Sequence, residues 1–254
     1  MTEHKERTVI VTGAARGIGY AIAEAFIKNG DFVAIGDLNL EQAVESAKNL
    51  GSQAKGYEVD VADDESVKRF IDQVITDRGT IDVLVNNAGL QHIDKVEDFP
   101  VAKWRQLIDI MLTGPFLLTK YIVPFMKKQQ YGRIINISSV HGKMASPFKS
   151  AYVSAKHGVV GLTRTVAIET ANDGITVNAI MPGAVKTELV MKQLASLAKE
   201  DGISENEALH KHILDRQHLK RFVEPSEIAA AAIYLASDGA AAVTGETLSV
   251  SGGM

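Results

Sequence analysis

A tyrosine, a lysine and a serine in the middle of the chain could together move a proton. Tyr152 and Lys156 are four positions apart, so on a helix they lie on one face. A tyrosine normally titrates near ~10, and a positive charge beside it stabilises the phenolate and lowers that pKa. Ser139 offers a hydroxyl that could hold an alcohol or carbonyl oxygen next to the phenol. These three residues are therefore the predicted catalytic group of an acid–base reaction.

A glycine-rich turn near the N-terminus predicts a dinucleotide site. Residues 12–19 follow a β-branched run and precede an apolar-periodic segment, which is the order of strand, turn and helix that such a site requires. Glycines let the backbone approach a pyrophosphate, and the helix N-terminus offers unpaired N–H groups and a positive dipole end. The residues of this turn that are predicted to bind the cofactor are Gly13, Arg16, Gly17, Ile18 and Gly19.

An acidic residue, Asp37, ends the next predicted strand. A carboxylate about 20 residues past the glycines can accept hydrogen bonds from both adenosine ribose hydroxyls, and it would repel a 2′-phosphate. Arg16 argues the other way, because a guanidinium in the glycine turn could bind that phosphate. Since the carboxylate penalises NADP directly, the sequence predicts NAD as the cofactor.

Short β-branched runs alternate with longer helical patterns along the chain. Strands are predicted near residues 7–12, 32–36, 53–59, 81–85, 132–137, 175–180 and 246–250, and helices near 17–29, 40–50, 64–78, 101–127, 151–172 and 226–236. This alternation predicts one α/β domain over residues 1–254, with a Rossmann-type, doubly wound parallel sheet. Ligands of such sheets bind at the carboxyl ends of the strands, where the candidate residues all lie.

A long insertion, residues 184–222, interrupts the alternation. Residues 187–199 are helical in pattern, Gly202 follows them as a break, and Ser204 with Glu207 forms a capping box for a second helix. A structural hairpin is one interpretation. Because the insertion directly follows a strand predicted to contact the cofactor, we favour a two-helix substrate lid that excludes water.

The composition is typical of a soluble protein that acts on small molecules. The net charge of −4 over 254 residues argues against nucleic acid as a main partner. The absence of cysteine excludes disulfides and thiolate metal sites, and no residues suggest a metal requirement. We see no apolar stretch near the ~20 residues of a membrane span and no apolar secretion signal at the start. A cytoplasmic protein without membrane or nucleic-acid partners is therefore expected.

These motifs together resemble the short-chain dehydrogenase/reductase family, from Thr8 to Gly253. Further matching landmarks are residues 86–89 and 136–139, each at the end of a predicted strand. The resemblance implies that Lys156 also holds the nicotinamide ribose, and it implies a homotetramer packed through the helices at 101–127 and 151–172. The further positions that it places around the cofactor are Asp60, Val61, Asn87, Ala88, Gly89, Tyr152, Lys156, Pro182, Gly183, Val185 and Thr187.

Within that family, segments 87–92, 96–100, 139–142, 145–152 and 192–193 resemble the bacterial 3-hydroxybutyrate dehydrogenases. The resemblance implies that the substrate's hydroxyl meets Ser139 and Tyr152, and that four further residues bind its carboxylate, namely Gln91, His141, Lys149 and Gln193. A lysine beside the catalytic tyrosine would attract a small carboxylate, and Gln and His side chains add hydrogen bonds. Taken singly, each has a structural explanation, such as a solvated loop charge for Lys149.

Two positions depart from these patterns. Met111 stands where the family usually has an asparagine whose carbonyl anchors a proton-relay water, and a thioether is a weak acceptor. Ala184 stands where the hydroxybutyrate enzymes tend to have a tryptophan against the substrate. The proton relay and the apolar wall of the pocket are therefore expected to differ.

The residues and the resemblance together predict NAD-dependent oxidation of (R)-3-hydroxybutyrate, or a close short-chain 3-hydroxy acid, to the 3-oxo acid. Tyr152 takes the hydroxyl proton while the hydride passes to the nicotinamide. One alternative is the same chemistry on a 3-oxoacyl carrier-protein thioester or a polyol. Another is a non-catalytic NAD-binding module, for which Met111 is the only support.

Overall fold

The sheet of the computed structural model contains seven strands, and the structure describes residues 6–254 except for the side chains of Leu189 and Ser196. The strands are β1 (Thr8–Thr12), β2 (Phe32–Asp37), β3 (Ala54–Glu58), β4 (Val83–Asn86), β5 (Gly132–Ile137), β6 (Ile175–Pro182) and β7 (Thr247–Val250). Their order across the sheet is β3-β2-β1-β4-β5-β6-β7, and every described pairing is parallel. The order reverses between β1 and β4, which is the point where a doubly wound sheet opens to a ligand.

Helices cover both faces of the sheet. They are α1 (Gly17–Lys28), α2 (Leu40–Leu50), α3 (Asp64–Arg78), α4 (Val101–Ile108), α5 (Gly114–Gln129), α6 (Ser150–Glu169), α7 (Glu188–Asp201), α8 (Glu205–Ala208) and α9 (Pro225–Ala236). Ile22 and Phe26 lie in the buried cluster on one face, and Phe70 and Ile122 lie in the cluster on the other. Each such side chain stabilises the fold by about 1.5–3 kcal/mol when fully buried. The predicted α/β architecture is confirmed.

The predicted helix at 101–127 is wrong in one respect, because it is not continuous. α4 ends at Ile108, a π-helical turn occupies Asp109–Thr113, and α5 begins at Gly114. Pro115 has no N–H to donate to the carbonyl of Met111 four residues earlier. The backbone therefore widens by one residue at this point, as π-turns within helices do.

The segment Val101–Gln129, 29 residues in length, is long and apolar enough to cross a membrane, with a mean hydropathy of 1.3 in its best window. This segment, which the sequence-based expectation did not single out, meets the criterion by length and composition only. In the fold, the segment is broken by the π-turn, and Leu118 and Ile122 of α5 are buried in the core against the sheet. Its apolar composition is that of a helix in a core layer.

The insertion after β6 forms the predicted helical hairpin. α7 ends at Asp201, followed by Gly202 with a left-handed φ of 65°, and the capping box of Ser204 and Glu207 begins α8. A second π-helical turn follows at Leu209–Ile213. The hairpin has an apolar cluster of its own around Leu194, Ala198 and Ala208, separate from the two sheet cores. The hairpin is therefore packed around apolar side chains of its own.

Candidate active site

The three predicted catalytic residues come together at the carboxyl end of β5. Ser139 follows the strand, while Tyr152 and Lys156 lie one turn apart near the start of α6. The Lys156 ammonium donates a 2.7 Å hydrogen bond to the carbonyl of Ile137 and lies 5.6 Å from the centre of the Tyr152 ring. The strand end thus holds the lysine against the tyrosine.

Burial governs the ionisation of both residues. It raises the pKa of Tyr152, with a hydrogen bond from Ser139 acting in the opposite direction, and it lowers the pKa of Lys156 to about 8. The expectation that Lys156 lowers the pKa of Tyr152 is therefore not met by the protein alone, because removal from water is the larger effect. Part of the Tyr152 side chain remains exposed. As long as no further positive charge is nearby, the raised pKa keeps the phenol protonated near pH 7.

His141 lies beside this group with both ring nitrogens close to serine hydroxyls. Nδ1 is 3.2 Å from Ser139 Oγ, and Nε2 is 2.7 Å from Ser146 Oγ. The ring meets the Tyr152 ring edge-on at 5.8 Å. Burial first, and then the positive charge of Lys149, lowers the pKa of His141 to about 4. The imidazole is therefore neutral near pH 7.

Lys149 reaches this region from a loop with an unusual backbone. Its neighbour Phe148 has a φ of 65°, a left-handed conformation that bulky residues rarely adopt. The Asp94 N–H donates a 2.9 Å hydrogen bond to the Phe148 carbonyl, which ties this loop to the loop that carries Gln91. Burial lowers the pKa of Lys149. Two of the predicted carboxylate ligands thus lie on loops joined to each other.

Gln91 and Gln193 are the less engaged members of the predicted substrate set. The amide oxygen of Gln91 accepts a 3.1 Å hydrogen bond from the His92 N–H, so part of its capacity is used within its own loop. Gln193 lies half-buried on α7. Among the described residues, no hydrogen bond joins it to Lys149 or His141. The role of Gln193 as a carboxylate ligand therefore stays a prediction.

The glycine turn after β1 is shaped by the loop after β4. A Cβ on Gly13 would lie 2.8 Å from Ala88 Cα, and one on Gly19 would lie 2.5 Å from the Asn87 side-chain nitrogen. That nitrogen donates hydrogen bonds to the carbonyls of Thr12 and Gly13. The close approach therefore requires glycine at both positions and packs Asn87 and Ala88, which follow β4, against the turn.

The start of α1 fits an anionic group. Unlike α2 and α3, which are capped by Asn39 and Asp63, α1 has no side-chain cap and no acidic residue in its first turn. Its first N–H groups are therefore available to a phosphate. A Cβ placed on Gly17 would have Thr187 as its nearest neighbour, at 3.9 Å, so there is room above the turn.

Asp37 ends β2 beside this turn. Its carboxylate accepts hydrogen bonds from the Ala15 N–H, at 3.2 Å, and from the Asn39 N–H, at 3.3 Å. A carboxylate has about four acceptor sites, so capacity remains for ribose hydroxyls. The Arg16 guanidinium lies 3.8 Å from Glu188 at the start of α7. Arg16 thus already has an anionic neighbour on the hairpin.

The other predicted cofactor residues also lie along this edge of the sheet. Ile18 packs against the core from α1, and Gly89 lies beneath the Met111 side chain. Asp60 and Val61 follow β3, Pro182 and Gly183 end and follow β6, Val185 bridges to Val223, and Thr187 caps α7. Residues from five strand ends therefore lie along one edge of the sheet.

A sequence model for a family described as enoyl-(acyl carrier protein) reductase matches residues 13–254. A D-beta-hydroxybutyrate dehydrogenase of Rhizobium meliloti (strain 1021) is 40% identical over 97% of this chain and 98% of its own. The chain belongs to the short-chain dehydrogenase/reductase family.

Two further relatives of this short-chain dehydrogenase show the spread of the similarity. An uncharacterized oxidoreductase, YxjF, of Bacillus subtilis (strain 168) is 43% identical over 98% of both chains. A 3-oxoacyl-[acyl-carrier-protein] reductase, FabG, of Thermotoga maritima is 36% identical over 98% of this chain and 97% of its own. The comparisons therefore establish an oxidoreductase of this family and leave its substrate to be proposed.

Met111 of this short-chain dehydrogenase lies in the π-turn, 1% exposed, in a small apolar cluster with Leu107, Ala151 and Ala155. Its side chain fills space above Gly89. Its thioether is a weak hydrogen-bond acceptor. The thioether therefore acts as packing.

We expect Met111→Asn to lower the free energy of unfolding by about 1–3 kcal/mol, because the amide would be buried without partners. Met111→Leu, which keeps an apolar side chain of similar size, should be near wild type. Chemical denaturation measures both, and kcat in light and heavy water should give the same solvent isotope effect for all three proteins. A smaller isotope effect in the asparagine variant would instead show that the side chain takes part in proton escape.

Two residues of this site were missed in the sequence. Ser146 contacts His141, and Thr12 Oγ1 accepts hydrogen bonds from the N–H groups of Asn87 and Ala88. Serine and threonine are common in loops and strand ends, so neither carries a signal in its type or spacing. Their contacts depend on which loops meet in three dimensions.

Proposed function

We propose that this protein is an NAD-dependent dehydrogenase of short-chain 3-hydroxy acids, with (R)-3-hydroxybutyrate as the first candidate. The observation that carries the proposal is a half-buried lysine, Lys149, whose positive charge lowers the pKa of His141 beside the catalytic tyrosine. A charged group in a partly desolvated pocket needs an anionic partner, and a substrate carboxylate supplies one. The relatives named D-beta-hydroxybutyrate dehydrogenase support the same substrate class.

The cofactor's proposed position follows from the cleft at the switch point of the sheet. The uncapped start of α1 would hold the pyrophosphate, Asp37 the adenosine ribose, and Lys156 the nicotinamide ribose. The bound nicotinamide supplies the hydride acceptor and, in its oxidised form, a positive charge near Tyr152. Such a charge would favour the phenolate and oppose the effect of burial on the tyrosine pKa.

The protein's own part in the reaction is to place oxygen atoms and move one proton. In oxidation, Tyr152 accepts the proton of the substrate hydroxyl. The hydrogen of the carbinol C–H bond leaves as a hydride, with both electrons of that bond. Ser139 donates a hydrogen bond to the reacting oxygen and keeps it beside the phenol. Lys149 orients the carboxylate at the other end of a short acid, so both ends of the substrate are held.

A substrate panel tests this assignment. NAD reduction is measured with (R)- and (S)-3-hydroxybutyrate, the methyl ester of the (R) acid, a polyol and a 3-hydroxyacyl carrier-protein thioester. We expect the free (R) acid to give the highest kcat/KM. A carrier-protein thioester that exceeds the free acid would transfer the proposal to the reaction named in the FabG relatives.

Asp37 is expected to make NAD preferred over NADP in kcat/KM. Asp37→Ala should narrow or reverse that preference, because the repulsion of a 2′-phosphate is lost and Arg16 remains within the same turn. Adding Arg16→Ala to this variant should remove any gained NADP activity. Steady-state kinetics with both cofactors measures the effect, and faster turnover with NADP by the unaltered protein would contradict it.

We propose that the hairpin of α7 and α8 is a substrate lid. A Cβ built on Gly17 would lie 3.9 Å from Thr187, so the base of the hairpin is next to the glycine turn.

We also propose that the protein is a cytoplasmic homotetramer. Phe116 on α5 and Ile168 on α6 are 47% and 80% exposed in the single chain. Large apolar side chains with this exposure are typical of a surface that another subunit covers. Light scattering in solution measures the mass of the assembly.

A further inference from the structure

The turn before α6 contains a residue that is unusual for its backbone conformation. Pro147 and Phe148 occupy the middle of this turn, and Phe148 has a φ of 65°. Proline followed by a left-handed residue is the pattern of a type II turn, where glycine or asparagine usually holds the second position because a bulky side chain is strained there. Among the described residues other than glycine, only Gln130, directly after α5, also has a positive φ.

The aromatic ring does not account for this strained backbone. Phe148 is 51% exposed. Its side chain belongs to none of the apolar clusters and makes none of the ring contacts found among the described residues. Strain of this kind persists where the surrounding structure imposes it, and such positions are concentrated at functional sites. The backbone of Phe148, and not its ring, is therefore the part with a candidate role.

Hydrogen bonds hold the backbone on both sides of Lys149. The Phe148 carbonyl accepts from the Asp94 N–H at 2.9 Å, and the Lys149 carbonyl accepts from the Val153 N–H at 2.8 Å. Lys149 lies half-buried between these two points, and its positive charge lowers the pKa of His141. An extended or right-handed conformation at Phe148 would rotate its carbonyl away from Asp94 and redirect the chain at Lys149. The left-handed turn therefore fixes the point from which the Lys149 side chain enters the site.

We propose that Phe148 is a positioning residue, whose left-handed backbone conformation directs Lys149 to the carboxylate of the substrate. Phe148 acts through its φ and through the carbonyl that the Asp94 N–H holds, and its ring takes no part. The inference rests on the proposed function, because it assumes that Lys149 binds the substrate carboxylate. The affinity for an acid should then follow the tolerance of residue 148 for the left-handed conformation, and not the size or polarity of its side chain.

A series of substitutions at position 148 tests this order. Glycine and asparagine adopt the left-handed conformation readily, whereas a β-branched residue does not. We expect Phe148→Gly and Phe148→Asn to keep KM for (R)-3-hydroxybutyrate within about twofold, and Phe148→Val to raise it about tenfold. KM for the methyl ester should change much less in all three variants, because the ester has no carboxylate for Lys149 to bind.

Gln130→Val is the matched control, because it places the same strain at the other left-handed position, before β5 and away from the catalytic end of that strand. Both valine variants should have lower unfolding midpoints than the wild type, but only Phe148→Val should lose affinity for the acid. A wild-type KM in Phe148→Val would overturn the proposal. A raised KM for the acid in Phe148→Asn would also overturn it, since the ring would then contribute to binding, and this result does not depend on the stability of the valine variant.

The environment of Lys149 is measured without substrate by NMR of ¹³C-methylated lysine side chains, in which the signal missing from Lys149→Ala assigns this residue. Burial lowers the pKa of Lys149, so its signal should titrate below those of exposed lysines. We expect the lowered pKa to persist in Phe148→Asn and to return towards the ordinary value in Phe148→Val. An equally low pKa in Phe148→Val would refute the positioning role. Because this measurement needs no substrate, it tests Phe148 separately from the proposed function, which the substrate panel and Lys149→Ala test.

Discussion

Tyr152→Phe is expected to abolish turnover while the protein still binds NAD. The substitution removes the oxygen that exchanges the substrate's proton and keeps the ring that packs beside His141. General acid–base catalysis contributes a factor of roughly 10²–10⁴, and the loss should be at least of that order. The cofactor contacts proposed for the glycine turn, Asp37 and Lys156 are unchanged by the substitution.

Steady-state kinetics and calorimetric titration with NAD measure the two expectations separately. Tyr121→Phe is the matched control, because its hydroxyl donates a 2.6 Å hydrogen bond to Asp64, away from the cleft. That variant should keep its kcat. Wild-type turnover in Tyr152→Phe would end the assignment of Tyr152 as the acid–base group, whatever the substrate.

Lys149→Ala is expected to raise KM for 3-hydroxybutyrate far more than it changes the affinity for NAD. A hydrogen bond to a charged partner contributes about 1.5–3 kcal/mol, which corresponds to roughly ten- to a hundredfold in KM. The methyl ester, which has no carboxylate, should be affected much less. This difference separates a carboxylate ligand from a residue that merely supports the loop.

Lys143→Ala is the control for the loss of a positive charge from the same region. The Lys143 ammonium donates to Ser249 Oγ and to the Met254 carbonyl, both at 3.1 Å, and its side chain is exposed. An unchanged KM for the acid in Lys149→Ala would make Lys149 a structural charge and would remove the main support for an acid substrate.

The pattern of the sequence was sufficient for the architecture, and it was less reliable where a helix changes type. The apolar periodicity of 101–127 predicted one helix, whereas the structure divides it at Asp109–Thr113. Pro115 was visible in the sequence, yet a proline in the first turn of a helix and one that widens a π-turn look alike in a linear pattern. The junction also depends on Val61, whose carbonyl would lie 2.9 Å from a Cβ on Gly114.

The sequence by itself determined the order of strands and helices, the dinucleotide turn and the candidate catalytic group. These features depend on local spacing: strand and helix periods, glycines in a turn, and two side chains four residues apart on α6. Asp37 was likewise identified from its place at a strand end. Each of these signals is complete within about 25 residues of chain.

Only the tertiary structure decided the direction of the Tyr152 pKa and the contact between His141 and Ser146. The pKa shift results from burial by segments distant in the sequence, and burial outweighs the effect of the lysine one helical turn away. The Ser146 contact depends on how the loop before α6 folds back on the end of β5. Side-chain type and spacing carry no record of such packing, because it is set by the whole fold at once.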